Sequence, residues 1–209
     1  MKAEKNSLNL TVVGDWNRFY TDPVWISENL FEKNDKDSII EMIKQPDKLV
    51  LRCKHHGVTI VPSQERMVII CEDFKKESLA YFIKITNSFF RKVPSPQLLA
   101  YGFNLSFHEE EDDHFAELID GILSKTTLSE NNIRLNGNSL TFIFDMDGNR
   151  FELKLNPDGN QTQITINNEY KVIDNSDTIE IRDDFTEYFF SQSNKLIKAF
   201  GYEMEANDV

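Results

Sequence analysis

The chain has 209 residues, 23 Lys+Arg against 35 Asp+Glu, a formal charge of −12, and 40% hydrophobic residues including 16 phenylalanines. That apolar content supports a packed core and excludes wholesale disorder. The acid excess offers no sequence-independent attraction to nucleic acid or anionic lipid, and no run of about 18 apolar residues exists to cross a membrane as a helix. The polar start, residues 1–7, runs into an alternating stretch instead of a signal peptide, so a cytoplasmic protein is expected. Cys53 and Cys71 stand apart, without a CxxC or a Cys/His metal spacing, and read as buried small hydrophobes.

In chain order, residues 7–13 alternate and predict a strand. The stretch 16–31 holds both tryptophans, shows neither period, and reads as an aromatic loop around Pro23. Residues 38–44 predict a short helix with Asp37 or Ser38 as N-cap, ended by Pro46. Three extended segments follow at 48–54, 57–61 and 66–71, separated by His55-His56-Gly57 and Pro62-Ser63-Gln64-Glu65, an antiparallel meander. From 77 to 93, Leu79, Phe82, Ile83, Phe89, Phe90 and Val93 recur at helical spacing, and Pro94 and Pro96 stop the helix.

The second half begins with a strand over 98–107. Ala100, Gly102, Asn104 and Ser106 fall on one face, and Tyr101, Phe103, Leu105 and Phe107 on the other. The acidic run 109–113 opens a helix carrying Phe115, Leu118, Ile119, Ile122 and Leu123, where negative charge suits the helix dipole. Strands are predicted at 133–135, 139–145, 150–155 and 162–166, with Asn136-Gly137, Asp147-Gly148 and Asp158-Gly159 as tight turns. A strand-like piece at 178–181 precedes a helix over 184–200, which Gly201 ends.

Each half thus reads strand, short helix, antiparallel strands, long helix. The prediction is an α+β fold and one domain over 1–209, made of pseudo-repeats at 7–93 and 97–201 with a polar tail at 202–209. The repeats form one curved antiparallel sheet with the helices on one face. That element order resembles the saddle of the TATA-box-binding-protein-like fold over most of the chain. The resemblance implies a topology only. The DNA-binding role of that family is not implied, because this chain is acidic and lacks counterparts of its intercalating phenylalanine pairs. A more local resemblance lies in Pro23-Val24-Trp25, followed by Leu30-Phe31, and in Ala100-Tyr101-Gly102-Phe103-Asn104-Leu105-Ser106-Phe107. The Pro-x-Trp segment and the Ala-x-Gly-x-Asn-x-x-Phe strand are similar to stretches of an uncharacterised bacterial family of about this size. That family brings no activity with it.

Candidate chemistry is sparse. His108, Glu111 and His114, within a run of carboxylates, are candidate metal ligands for a small metal-dependent hydrolase. In an extended segment, however, residues six apart lie about 20 Å from each other, so a solvated acidic helix start competes. Asp145-Met146-Asp147-Gly148-Asn149 lacks the glycine and the glutamate of a calcium loop and reads as a hairpin turn. His55 and His56 have no nucleophile motif beside them, so no catalytic residue and no cofactor is assigned. Trp16, Phe19, Tyr20 and Trp25, with Asn104 on the polar strand face, are the candidate partner-binding residues. The expected function is a non-enzymatic protein–protein interaction or adaptor role, with another protein as partner and pairing of two copies as a further expectation. The metal-dependent hydrolase ranks second and a nucleic-acid-binding sheet third.

Overall fold

The computed structural model describes residues 2–15, 18–31, 38–44, 49–93, 98–110, 115, 117–118, 133–136, 139–146, 148–158, 161–172 and 179–204. These form an α+β arrangement around one antiparallel sheet. Its strands are β1 (Lys2–Ala3), β2 (Asn9–Gly14), β3 (Ile39–Lys44), β4 (Leu49–His55), β5 (Val58–Pro62), β6 (Arg66–Cys71), β7 (Leu98–Glu109), β8 (Ile133–Asn136), β9 (Ser139–Met146), β10 (Asn149–Asp158) and β11 (Gln161–Lys171). The spatial order is β3-β4-β5-β6-β2-β7-β11-β10-β9-β8, and β1 pairs with β7 beside β2. Between β1 and β2 the chain makes a short bulge, with Asn6 at φ 62° and the Ser7 amide donating to Glu4 O at 3.2 Å.

Period-two patterning decides which face is covered. Leu10 and Val12 of β2, Phe103, Leu105 and Phe107 of β7, and Ile164 and Ile166 of β11 are buried, while the residues between them are half-exposed. The covering layer comes from α1 (Pro23–Asn29), α2 (Lys76–Lys92) and α3 (Phe185–Ala199). Phe103 is the meeting point of this layer. Its ring lies 6.3 Å from Phe82 of α2, and 4.1 and 6.3 Å from Phe185 and Phe189 of α3. Rings at these separations pack beyond simple area burial. Phe115, in the described part of the helix that follows the acidic run, also joins the core. No described helix is long and apolar enough to cross a membrane.

Two sequence expectations need correction. Residues 39–44 form the edge strand β3, paired with β4 from Ile39 opposite Lys54 to Lys44 opposite Leu49, and not a helix. The segment is short, and Ile39, Ile40 and Ile43 are β-branched. A six-residue ladder therefore outweighs a weak helical preference. The stretch read as an aromatic loop is instead a 3-10 turn over Arg18–Thr21 followed by α1. Asp22 caps that helix, its Oδ1 accepting from Val24 N at 2.7 Å and Trp25 N at 3.4 Å, with Pro23 as the first helical residue. Asp-Pro before an apolar segment is a helix-start signal that the aromatic composition obscured. In addition, residues 179–182 are not in a strand; what was read as 178–181 is an irregular approach to α3. The meander and both long helices lie within a few residues of their predicted positions. The β4–β5 connection is a two-residue turn, His56 at φ 45° and Gly57 at φ 71°, both positive as a primed hairpin turn requires.

Phe103→Ala should lower unfolding free energy by about 3–5 kcal/mol, the usual range for emptying a fully packed aromatic site. Met42→Thr, at 71% exposure on the edge strand, should stay within about 0.5 kcal/mol of wild type. Urea denaturation of the two variants separates these outcomes.

Candidate functional site

The face of the sheet opposite α1–α3 carries the polar half of each alternating strand. Antiparallel register sets Asn9 of β2 opposite Asn104 of β7, and Asn104 opposite Asn167 of β11, so three asparagines stand side by side across the central strands. Asn104 Nδ2 donates to Asn9 Oδ1 at 3.0 Å, the Thr11 hydroxyl donates to the same oxygen at 3.2 Å, and Asn9 Nδ2 donates to Ser7 O at 3.0 Å. One residue pair further along, Ser106 and Thr165 hydroxyls lie 3.2 Å apart. These bonds fix the amide planes, since a bound Oδ1 and Nδ2 cannot exchange places without loss.

Beside this row Gly102 opens a cleft of about 330 Å3, lined by Thr11, Val13, Arg66, Asn104, Asn167 and Glu169 among others. A Cβ at position 102 would lie 2.8 Å from Asn167 Oδ1, so the absence of a side chain is what lets the Asn167 amide lie across the strand. Asn167 Oδ1 itself is buried and has no hydrogen-bond partner among the described residues. Arg66 enters from β6 opposite Val13, and Glu169 from β11 opposite Gly102, placing one charge of each sign at the cleft. Across the whole face, Arg52, Lys54, Arg66, Arg150, Lys154 and Lys171 offset Glu41, Asp145, Glu152 and Glu169 in the same strand registers. The acid excess of the chain lies elsewhere.

Of the predicted partner residues, Asn104 belongs to this row. Trp25 is 7% exposed, with the Tyr20 ring edge-on at 5.0 Å, and it fastens α1 to the core. A buried indole offers no face to a partner, so the interaction reading leaves that segment. Trp16 and the Phe19 side chain lie outside the described residues. Sequence reading missed Thr11, Arg66, Asn167 and Glu169. They come from three strands far apart in the chain, and only the register brings them to one place.

For the metal reading, Glu111 and His114 lie outside the described residues, and among those described no group of three or more His, Cys, Asp or Glu could hold an ion. His108 is described and is occupied. Its Nε2 is 2.6 Å from Gln161 Oε1 and its Nδ1 3.3 Å from Glu4 Oε1. Two oxygen acceptors on the two ring nitrogens favour the doubly protonated imidazolium, so the Gln161 bond first and the Glu4 bond second raise its pKa. A metal ligand needs the opposite, a neutral ring with a free lone pair. His55 is 2% exposed, stacked on Phe31 at 5.0 Å with the Tyr81 hydroxyl 2.5 Å from its Nδ1, an arrangement that packs the β4–β5 corner. Burial pushes Cys53 to about 11 and Cys71 to about 12, so neither thiol supplies a thiolate nucleophile at neutral pH.

No protein-family model matches the chain, and no curated protein shows significant sequence similarity to it.

His108 should titrate above the ordinary histidine value of 6.5 in an NMR pH series, with Gln161→Ala lowering the midpoint more than Glu4→Gln. Because the folded pKa is the raised one, the stabilisation it brings is complete below the unfolded value and fades as pH rises through the folded one. In Gln161→Ala that loss should occur at lower pH.

Proposed function

We propose that this chain is a non-enzymatic interaction protein that docks another protein on the open face of its sheet, around the cleft formed by Thr11, Arg66, Gly102, Asn104, Asn167 and Glu169. The observation that carries the reading is that cleft: polar, centrally placed, fixed by the Asn9 and Asn104 amides, and bordered by one cation and one carboxylate. A wide face offering amides, hydroxyls and interspersed charges of both signs suits a protein surface. A phosphate polymer requires a contiguous positive stripe, which this register does not supply. Asn167 Oδ1 gains an N–H donor when a partner segment lies along β7 and β11. An unpaired buried acceptor costs about 1–3 kcal/mol, so supplying the donor favours the complex.

We infer further that the chain consists of two halves with one connectivity, as in the TATA-box-binding-protein-like fold. Support comes from the strand order: β2 and β7 are adjacent at the centre, and from them outward run β6-β5-β4-β3 on one side and β11-β10-β9-β8 on the other. With the short helix at Pro23–Asn29 instead of 38–44, each half reads strand, helix, four strands, long helix. On this reading the site lies across the pseudo-dyad, and both halves build it.

The experiment compares co-purification from the native host for wild type, Arg66→Glu, Glu169→Arg and Val24→Ser, the last an exposed residue on α1. A protein retained by wild type and Val24→Ser, but reduced roughly tenfold by either charge reversal at unchanged thermal stability, supports the open face. Equal retention by all four removes it.

A further inference from the structure

On the helix-bearing side, where α3 begins, a second cleft of about 330 Å3 falls within the size range of small-molecule sites. Four of its nine lining residues are aromatic: Tyr101, Tyr170, Phe185 and Tyr188. Its walls are held from several directions. Tyr101 and Tyr170 face each other across β7 and β11, their rings stacked at 4.8 Å with an interplanar angle of 10°. The Tyr170 hydroxyl donates to Asn168 Oδ1, and the fully buried Asn168 amide donates to Arg150 O at 3.0 Å. Asn87 of α2 clamps the opposite wall: its Nδ2 donates to Ile181 O at 2.8 Å and its Oδ1 accepts from Ile181 N at 2.7 Å. Asn149 Nδ2 reaches the Tyr188 hydroxyl at 3.4 Å. The cavity is therefore preformed, and a ligand meets little ordering cost.

Charge selects the ligand class. Arg182 is committed to Asp184, Nε to Oδ1 at 2.9 Å, so those two lining charges cancel. Asp184 stands at the N-cap of α3 and offsets the positive end of the helix. Glu180 remains, and none of the ion pairs among the described residues involves it. Aromatic faces with one carboxylate are the requirements for holding a weakly hydrated cation. An anion would meet the Glu180 carboxylate and the field of a chain of net charge −12.

We propose that the cleft between Tyr101, Tyr170, Tyr188 and Glu180 binds an organic cation of the quaternary or methylated ammonium class. The ligand's methyl groups rest against the phenol rings and Glu180 supplies the countercharge. This site is independent of the open sheet face.

Choline and its uncharged carbon isostere, 3,3-dimethyl-1-butanol, are the probes, titrated at constant ionic strength into the full chain by calorimetry while NMR follows the tyrosine rings. Choline should bind roughly five- to tenfold more tightly than the isostere, with shifts confined to Tyr101, Tyr170 and Tyr188. Glu180→Gln, an exposed change that leaves the fold intact, should abolish most of that preference. Tyr188→Leu should weaken choline at unchanged Glu180. Equal affinity for both probes would mean an apolar cleft with no cation selectivity and overturn the proposal. So would the absence of saturable choline binding at millimolar concentration, or a preference that survives Glu180→Gln.

Discussion

Everything in this molecule depends on the pairing of β2 with β7. It joins strands drawn from the two ends of one chain, with Leu10 opposite Phe103 and Thr11 opposite Gly102. On one side of that seam Phe103 receives the aromatic rings of α2 and α3. On the other side the same register aligns Asn9 with Asn104 and opens the cleft at Gly102. A one-residue slip would turn the phenylalanines outward and the asparagines into the core. Burial of Leu10, Val12 and Phe103 therefore fixes the polar site as firmly as the core, because they ride on the same backbone.

The charge of the chain takes on a different meaning once the faces are separated. A net −12 excludes a polyanion partner only if the acids occupy the binding surface. They do not: the open face alternates Arg and Lys with Asp and Glu along its strands, while the run at 109–113 sits beyond the end of β7. What argues against nucleic acid is the interspersion of both signs, and not the total. The helix-bearing side is the reverse case. There Arg182 and Asp184 cancel and a single carboxylate, Glu180, sets the character of an aromatic cleft.

Legibility followed the strength of the local signal. The alternation of Tyr101, Phe103, Leu105 and Phe107 and the helical spacing of Phe82, Ile83, Phe89 and Phe90 were plain, and these elements lie where expected. Residues 39–44 were ambiguous because six residues are too few to separate two periods, and the hydrogen bonds that settle the matter come from β4. Asp22-Pro23 was a readable helix start hidden among aromatic residues. His108 appeared to be a metal ligand because neighbouring carboxylates are visible in sequence, whereas Gln161, which holds its Nε2, is 53 residues away.

The sequence by itself determined the class of fold, the position of most strands, the two long helices and the face each buries. Those properties rest on short-range periodicity and turn chemistry, which a linear chain displays. Tertiary structure alone decided which strands are neighbours, and with that the composition of both clefts. Arg66, Thr11, Asn167 and Glu169 meet through register across three strand pairings, and Tyr101, Tyr170 and Glu180 through the docking of the segment before α3. Contacts between residues a hundred positions apart leave no local periodicity to read, so the folded sheet is the first place where they become visible.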